Sequence, residues 1–123
     1  MSKGKKKEPT LRQRKVNSFV QKRLAEIFRD EEIPGLTGFI TITKVDVSPD
    51  LRDGKVFLSI FNQPAEEALK ALSKKIFFIQ GKLFEGATMK FIPKVRFAID
   101  PSAEYSQHIN EVLRNINEQD DEK

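Results

Sequence analysis

The sequence predicts an α+β domain of two layers, a three-stranded mixed sheet with helices packed on one face. Three observations support this. Apolar residues recur at steps of three and four between Val16 and Phe28, they alternate strictly from Val56 to Ile60, and a long helical stretch separates the second strand from the third. Two strands joined as a hairpin, with a third arriving by a helical crossover, close one mixed sheet. At 123 residues the chain fits one such domain with two tails.

Residues 1–10 carry Lys3, Lys5, Lys6 and Lys7 and no large apolar side chain after Met1, so burial could not offset the entropy of ordering them. A flexible basic arm is expected there, followed by one folded domain over 11–117 and a disordered acidic tail over 118–123. From Leu11 to Glu31, Val16, Phe19, Val20, Leu24, Ile27 and Phe28 form the stripe of an amphipathic helix. Pro34, Gly35 and Gly38 end it, and Ile40, Ile42, Val45 and Val47 mark a first strand over Phe39 to Ser48 with imperfect alternation. The turn residues Pro49-Asp50 and Asp53-Gly54 lead to a second strand, Lys55 to Phe61, and the pair reads as a hairpin with a long loop.

After Pro64 a second helix is predicted from Ala65 to Phe84, with Leu69, Leu72, Ile76, Ile79 and Leu83 facing the core. Gly81 and Gly86 are its expected points of bending and ending. A third strand runs from Met89 to Ile99, where Pro93, lacking an N–H, marks a bulge or the start of the paired part. Asp100-Pro101 opens a last helix with Tyr105, Ile109, Val112, Leu113 and Ile116 on its apolar face. Ten Phe against no Trp and one Tyr imply that Phe does the heavy packing.

Little here supports covalent chemistry. There is no Cys and His108 is the single His, which argues against zinc ribbons, thiolate nucleophiles and His-based metal sites. Asp46, Asp50 and Asp53 do not match a calcium loop, and Gly35 and Gly38 precede a strand instead of joining a strand to a helix. The chain is expected to be no enzyme and to use no cofactor or metal. No apolar run approaches the ~20 residues that span a bilayer, so the cytoplasm is the expected compartment.

Charge is segregated. The net +4 divides into +8 over residues 1–23, −4 over 24–73, +5 over 74–96 and −5 over 97–123. Clustered charge makes a directed field, and Lys and Arg displace counterions from nucleic acid. The candidate RNA-binding residues are therefore Lys5, Lys6, Lys7, Arg12, Arg14, Lys15, Lys22 and Arg23 in the first block, and Lys74, Lys75, Lys82, Lys90, Lys94 and Arg96 in the second. Taken alone, a lysine-rich arm also suits a solubilising tail or an anionic membrane surface. Two blocks of like charge from separate parts of the fold could converge on one face, which favours nucleic acid. A protein-interaction adaptor, using the acidic tail or the hairpin edge, is the competing class.

The segment Val47-Ser48-Pro49-Asp50-Leu51-Arg52-Asp53-Gly54-Lys55-Val56 resembles the V-x-S-x-D-L-x-x-A-K-V hairpin of ribosome-binding factor A, a bacterial small-subunit assembly factor. The likeness extends to Lys15-Val16, Pro34-Gly35-Leu36, Ile92-Pro93-Lys94-Val95-Arg96-Phe97 and Asp100-Pro101-Ser102-Ala103-Glu104, and covers residues 11 to 116. The resemblance implies a type II KH-like fold and a monomer that binds 16S rRNA in immature 30S subunits. It also implies help with late rRNA maturation without covalent chemistry, most important in the cold, with an assembly GTPase as a candidate second partner. One departure stands out: where the family has an Ala-x-Gly kink, this chain has Lys75-Ile76-Phe77. Ile76 continues the core stripe and Phe77 and Phe78 lie beside it, which predicts core or rim packing ahead of base stacking.

Overall fold

Thr10 opens the first helix with a capping box. Its hydroxyl accepts from the Gln13 N–H at 3.1 Å while the Gln13 side chain accepts from the Thr10 N–H at 2.8 Å, satisfying two donors the helix leaves unpaired. The computed structural model describes residues 8–102. They form α1 (Leu11–Asp30), β1 (Phe39–Val47), β2 (Asp53–Phe61), α2 (Ala65–Lys74), α3 (Ile76–Glu85) and β3 (Lys94–Ile99). The sheet order is β1-β2-β3, the first pair antiparallel and the second parallel. Pro101 and Ser102 are helical, and Asp100 Oδ1 accepts from the Ser102 N–H at 2.8 Å. The apolar face expected from Tyr105 to Ile116, His108, the arm residues 1–7 and the tail lie outside the described residues.

Val16, Val20, Leu24 and Ile27 of α1 meet Val45, Val47, Val56, Leu58 and Ile60 of the sheet and Leu72, Ile79 and Leu83 of α2 and α3. The core is aliphatic, which corrects the expectation that Phe does the packing: none of the ten Phe is buried. Parity explains this. Val56, Leu58 and Ile60 occupy the inner face of β2, so Phe57 and Phe61 fall on the outer one. On α3 the core stripe passes through Ile79 and Leu83, with Ile76 packed at its margin, and Phe77 lies off it at 90% exposure. The packing expected of Ile76 is present; that expected of Phe77 is not.

The second helix is two helices, not one. They meet at Lys75 (φ −107°, ψ 19°), well before Gly81, which lies inside α3, while Gly86 ends α3 as expected. The halves serve different partners, since α2 packs on β3 and α3 on α1, so the chain turns between them. Packing thus breaks the helix without the family's small residues.

The imperfect alternation of β1 is a register shift between Ile42 and Lys44, a β-bulge. β3 begins at Lys94, immediately after the buried Pro93, which is the start-of-pairing role predicted for that proline. Gln80 of α3 secures this point, donating to the Pro93 carbonyl at 2.9 Å and accepting from the Val95 N–H at 3.2 Å. At the far end of the sheet, Gln63 accepts from the N–H groups of Thr37 and Gly38, each at 3.0 Å, and donates to the Gly35 carbonyl at 2.6 Å.

Candidate nucleic-acid interface

Three segments distant in sequence meet at one end of the sheet: the start of α1, the β1–β2 loop and the connection from α3 to β3. They enclose a groove of about 910 Å³ whose walls include Arg12, Lys15, Arg52, Lys90, Phe91 and Lys94. Its floor is held by α1. The Gln13 side chain donates to the Val47 carbonyl at 2.9 Å, and Asn17 accepts from the Val47 N–H at 2.9 Å, so the end of β1 is clamped from both sides.

The loop beyond Val47 is locked by its own polar groups. The Ser48 hydroxyl donates to Asp50 Oδ1 at 2.6 Å and accepts from the Asp53 N–H at 3.1 Å, and Asp50 Oδ1 also accepts from the Arg52 N–H at 3.1 Å. The Ser48 hydroxyl first, and then the Arg52 N–H, hold the Asp50 carboxyl below its ordinary pKa. Leu51 adopts a left-handed backbone (φ 63°) and packs against the core, which turns Arg52 into the groove wall. The Lys94 N–H then donates to the Arg52 carbonyl at 2.8 Å, tying the start of β3 to the loop.

The two basic blocks therefore converge: Arg12 and Lys15 come from the first, Lys90 and Lys94 from the second. Arg52, absent from the predicted residues, joins them from the hairpin motif, which lies in the stretch 24–73 of net charge −4. Asp50 and Asp53 share the walls, and Arg52 Nε lies 4.0 Å from Asp50 Oδ2. Phe91 is 75% exposed beside Lys90. A groove lined by cations and an exposed ring fits a polyanion carrying flat bases.

Other predicted cations lie elsewhere. Arg14 faces Glu8 at 3.9 Å, and Lys22 borders a shallow depression beside Phe19 and Gly86. Arg23 donates through Nε and Nη2 to the Lys82 carbonyl at 3.2 and 3.0 Å, holding α1 to α3. The Lys82 ammonium pairs with Glu31 at 3.2 Å and Glu85 at 3.6 Å, and the Glu31 contact raises its pKa. Lys74 and Lys75 are exposed at the α2–α3 joint, and Arg96 is exposed on β3. Lys5, Lys6 and Lys7 fall outside the described residues. Lys44 and Lys55 stand outside both predicted blocks, on the outer sheet face, where the strict alternation of β2 places Lys55.

The sequence profile of the family described as Ribosome-binding factor A matches residues 12–113. The ribosome-binding factor A of Clostridium novyi is 36% identical over 107 residues, covering 85% of this chain and 88% of that protein. Among solved structures, the crystal structure of ribosome-binding factor A from Thermus thermophilus superimposes with a TM-score of 0.63 at 25% identity, covering 71% of this chain and 93% of that one. A homology model of the Thermus thermophilus factor, fitted into a cryo-electron-microscopy map of its complex with the 30S subunit, gives a TM-score of 0.59 at 24% identity, covering 70% and 92%. The mixed sheet and its helices are thus the KH-like fold that the resemblance across the chain implied. The chain belongs to the ribosome-binding factor A family.

Proposed function

We infer that this protein binds immature 30S subunits through 16S rRNA, seating backbone phosphates in the groove of Arg12, Lys15, Arg52, Lys90 and Lys94. The observation that carries this reading is the convergence of cations from three separate segments on one groove. Binding one rRNA conformation better than another shifts its population, so late small-subunit assembly and rRNA processing are assisted without covalent chemistry. Such help matters most in the cold, where misfolded RNA escapes slowly. The protein acts in the cytoplasm as a monomer, with an assembly GTPase as a candidate partner in release; no helix among the described residues is long and apolar enough to cross a membrane.

Co-sedimentation with small-subunit particles across a salt series tests this. Affinity is expected to fall steeply as salt rises, and Ala at Arg12, Lys15, Lys90 and Lys94 to flatten the slope by about one for each phosphate left without its cation. Salt-insensitive binding, or an unchanged slope in that variant, would rule out the groove as the phosphate site.

A further inference from the structure

The strand period places Lys55, Phe57 and Phe61 of β2 on the face turned away from the helices, opposite the buried Val56, Leu58 and Ile60. Register adds Lys44 beside Phe57 and Phe39 beside Phe61 from β1, and Arg96 beside Lys55 from β3. The Lys44 and Lys55 ammonium groups stand 6.0 and 5.2 Å from the Phe57 ring centroid, at the outer reach of a cation–π contact. The Phe39 and Phe61 rings pair at 6.5 Å and are 69% and 47% exposed. Among the described residues, aromatic rings and cations therefore share this pleated surface, with Phe57 half-buried between the two lysines.

Charge and continuity both indicate what covers it. Among the described residues, none of Lys44, Lys55, Lys94 and Arg96 forms an ion pair. Of the nearby carboxylates, Asp46 and Asp53 stand opposite Lys55 and Lys94 in register, and Asp100 accepts from the Thr43 hydroxyl at 2.6 Å and the Ser102 N–H. Lys94 belongs both to the groove wall and to the exposed side of β3, so the two surfaces are continuous.

We propose that the outer face of the sheet binds unpaired RNA, a base stacking on Phe57 while Lys44, Lys55 and Arg96 take the flanking phosphates. Unpaired bases offer a free π-face that a duplex hides, and stacking on sheet-borne aromatics tolerates any base. Both lysines swing from the ring to phosphate at small cost, because exposed cation–π contacts are weak. This surface shares RNA, and Lys94 at its edge, with the groove reading, but Phe57, Lys44, Lys55 and Arg96 lie outside the groove.

Fluorescence anisotropy of the full chain, with a labelled oligouridylate of about 12 nucleotides and with an RNA duplex, separates the surfaces. Phe57→Leu is expected to weaken oligouridylate binding about tenfold at every salt concentration and to leave duplex binding unchanged, whereas Phe57→Tyr keeps the original affinity. Joint Lys44→Ala and Lys55→Ala is expected to flatten the salt slope. If only Arg12→Ala with Lys15→Ala weakens oligouridylate binding, the sheet-face proposal is overturned and the groove reading stands. If only the sheet-face variants weaken it, the proposal stands, and the groove reading is decided separately by the salt series on small-subunit particles. Equal losses on duplex for Phe57→Leu, or a change in self-association in place of RNA affinity, also overturn it. Circular dichroism checks folding, and should Phe57→Leu not fold, unchanged oligouridylate binding by the exposed lysine pair variant overturns the proposal equally.

Discussion

Gly38 shows how one residue can be specified by its surroundings without unusual dihedral angles. A Cβ there would run into the Phe61 carbonyl oxygen and the Gln63 Cβ, at the point where Gln63 receives the N–H groups of Thr37 and Gly38. Gly38→Ala is expected to destabilise the protein by about 1–3 kcal/mol, read as a lower urea midpoint with an unchanged m-value. Asp50 makes a different single-residue case. Because its carboxyl is held below the ordinary pKa in the folded chain, its contribution to the hairpin loop is present above the unfolded-state value and is lost as pH falls through the depressed one. NMR titration of the Asp50 carboxyl should show a midpoint below the usual Asp range, and Ser48→Ala should raise it. A midpoint indifferent to that substitution would mean that the hydroxyl is not the main cause.

At the scale of elements, legibility depended on whether local pattern or distant packing set the outcome. The α1 stripe and the β2 alternation are local, and both elements lie where their periods place them. The break at Lys75 is not local: Lys-Ile-Phe is compatible with a continuous helix, and only the separate partners of α2 and α3 require the turn. Phe77 is a separate case: the helical period already sets it beside the stripe through Ile76 and Ile79, and the structure leaves it exposed instead of packed at the rim. Phe77→Ala should therefore change stability by no more than about 0.5 kcal/mol, whereas Ile79→Ala, at a fully buried position, should cost about 2–5 kcal/mol. Thermal unfolding of the two variants separates a surface ring from a packed side chain, and a large loss at Phe77 would contradict its exposure.

At the scale of the whole molecule, the sequence revealed two basic blocks but not how the fold would divide their labour. That division depends on tertiary neighbours. Arg12, Lys15, Lys90 and Lys94 reach one groove, while Arg23 and Lys82 are turned inward on each other's helices, where Arg23 binds the Lys82 carbonyl and Lys82 pairs with Glu31. Equal formal charges should then fail in different assays. Arg23→Ala removes two charge-assisted hydrogen bonds and the side chain packed on Gly86, so it should lower stability by about 1–3 kcal/mol. Since that guanidinium is half-buried and occupied, the salt slope of binding to small-subunit particles should be unchanged. Lys15→Ala, at an exposed position in the groove wall, should do the reverse: stability within about 0.5 kcal/mol of the original and a slope smaller by about one. Chemical denaturation and a salt series on the same two variants read both quantities. Were Arg23→Ala to flatten the slope as much as Lys15→Ala, the cations would act as one diffuse field, and the groove would lose its claim to be a site.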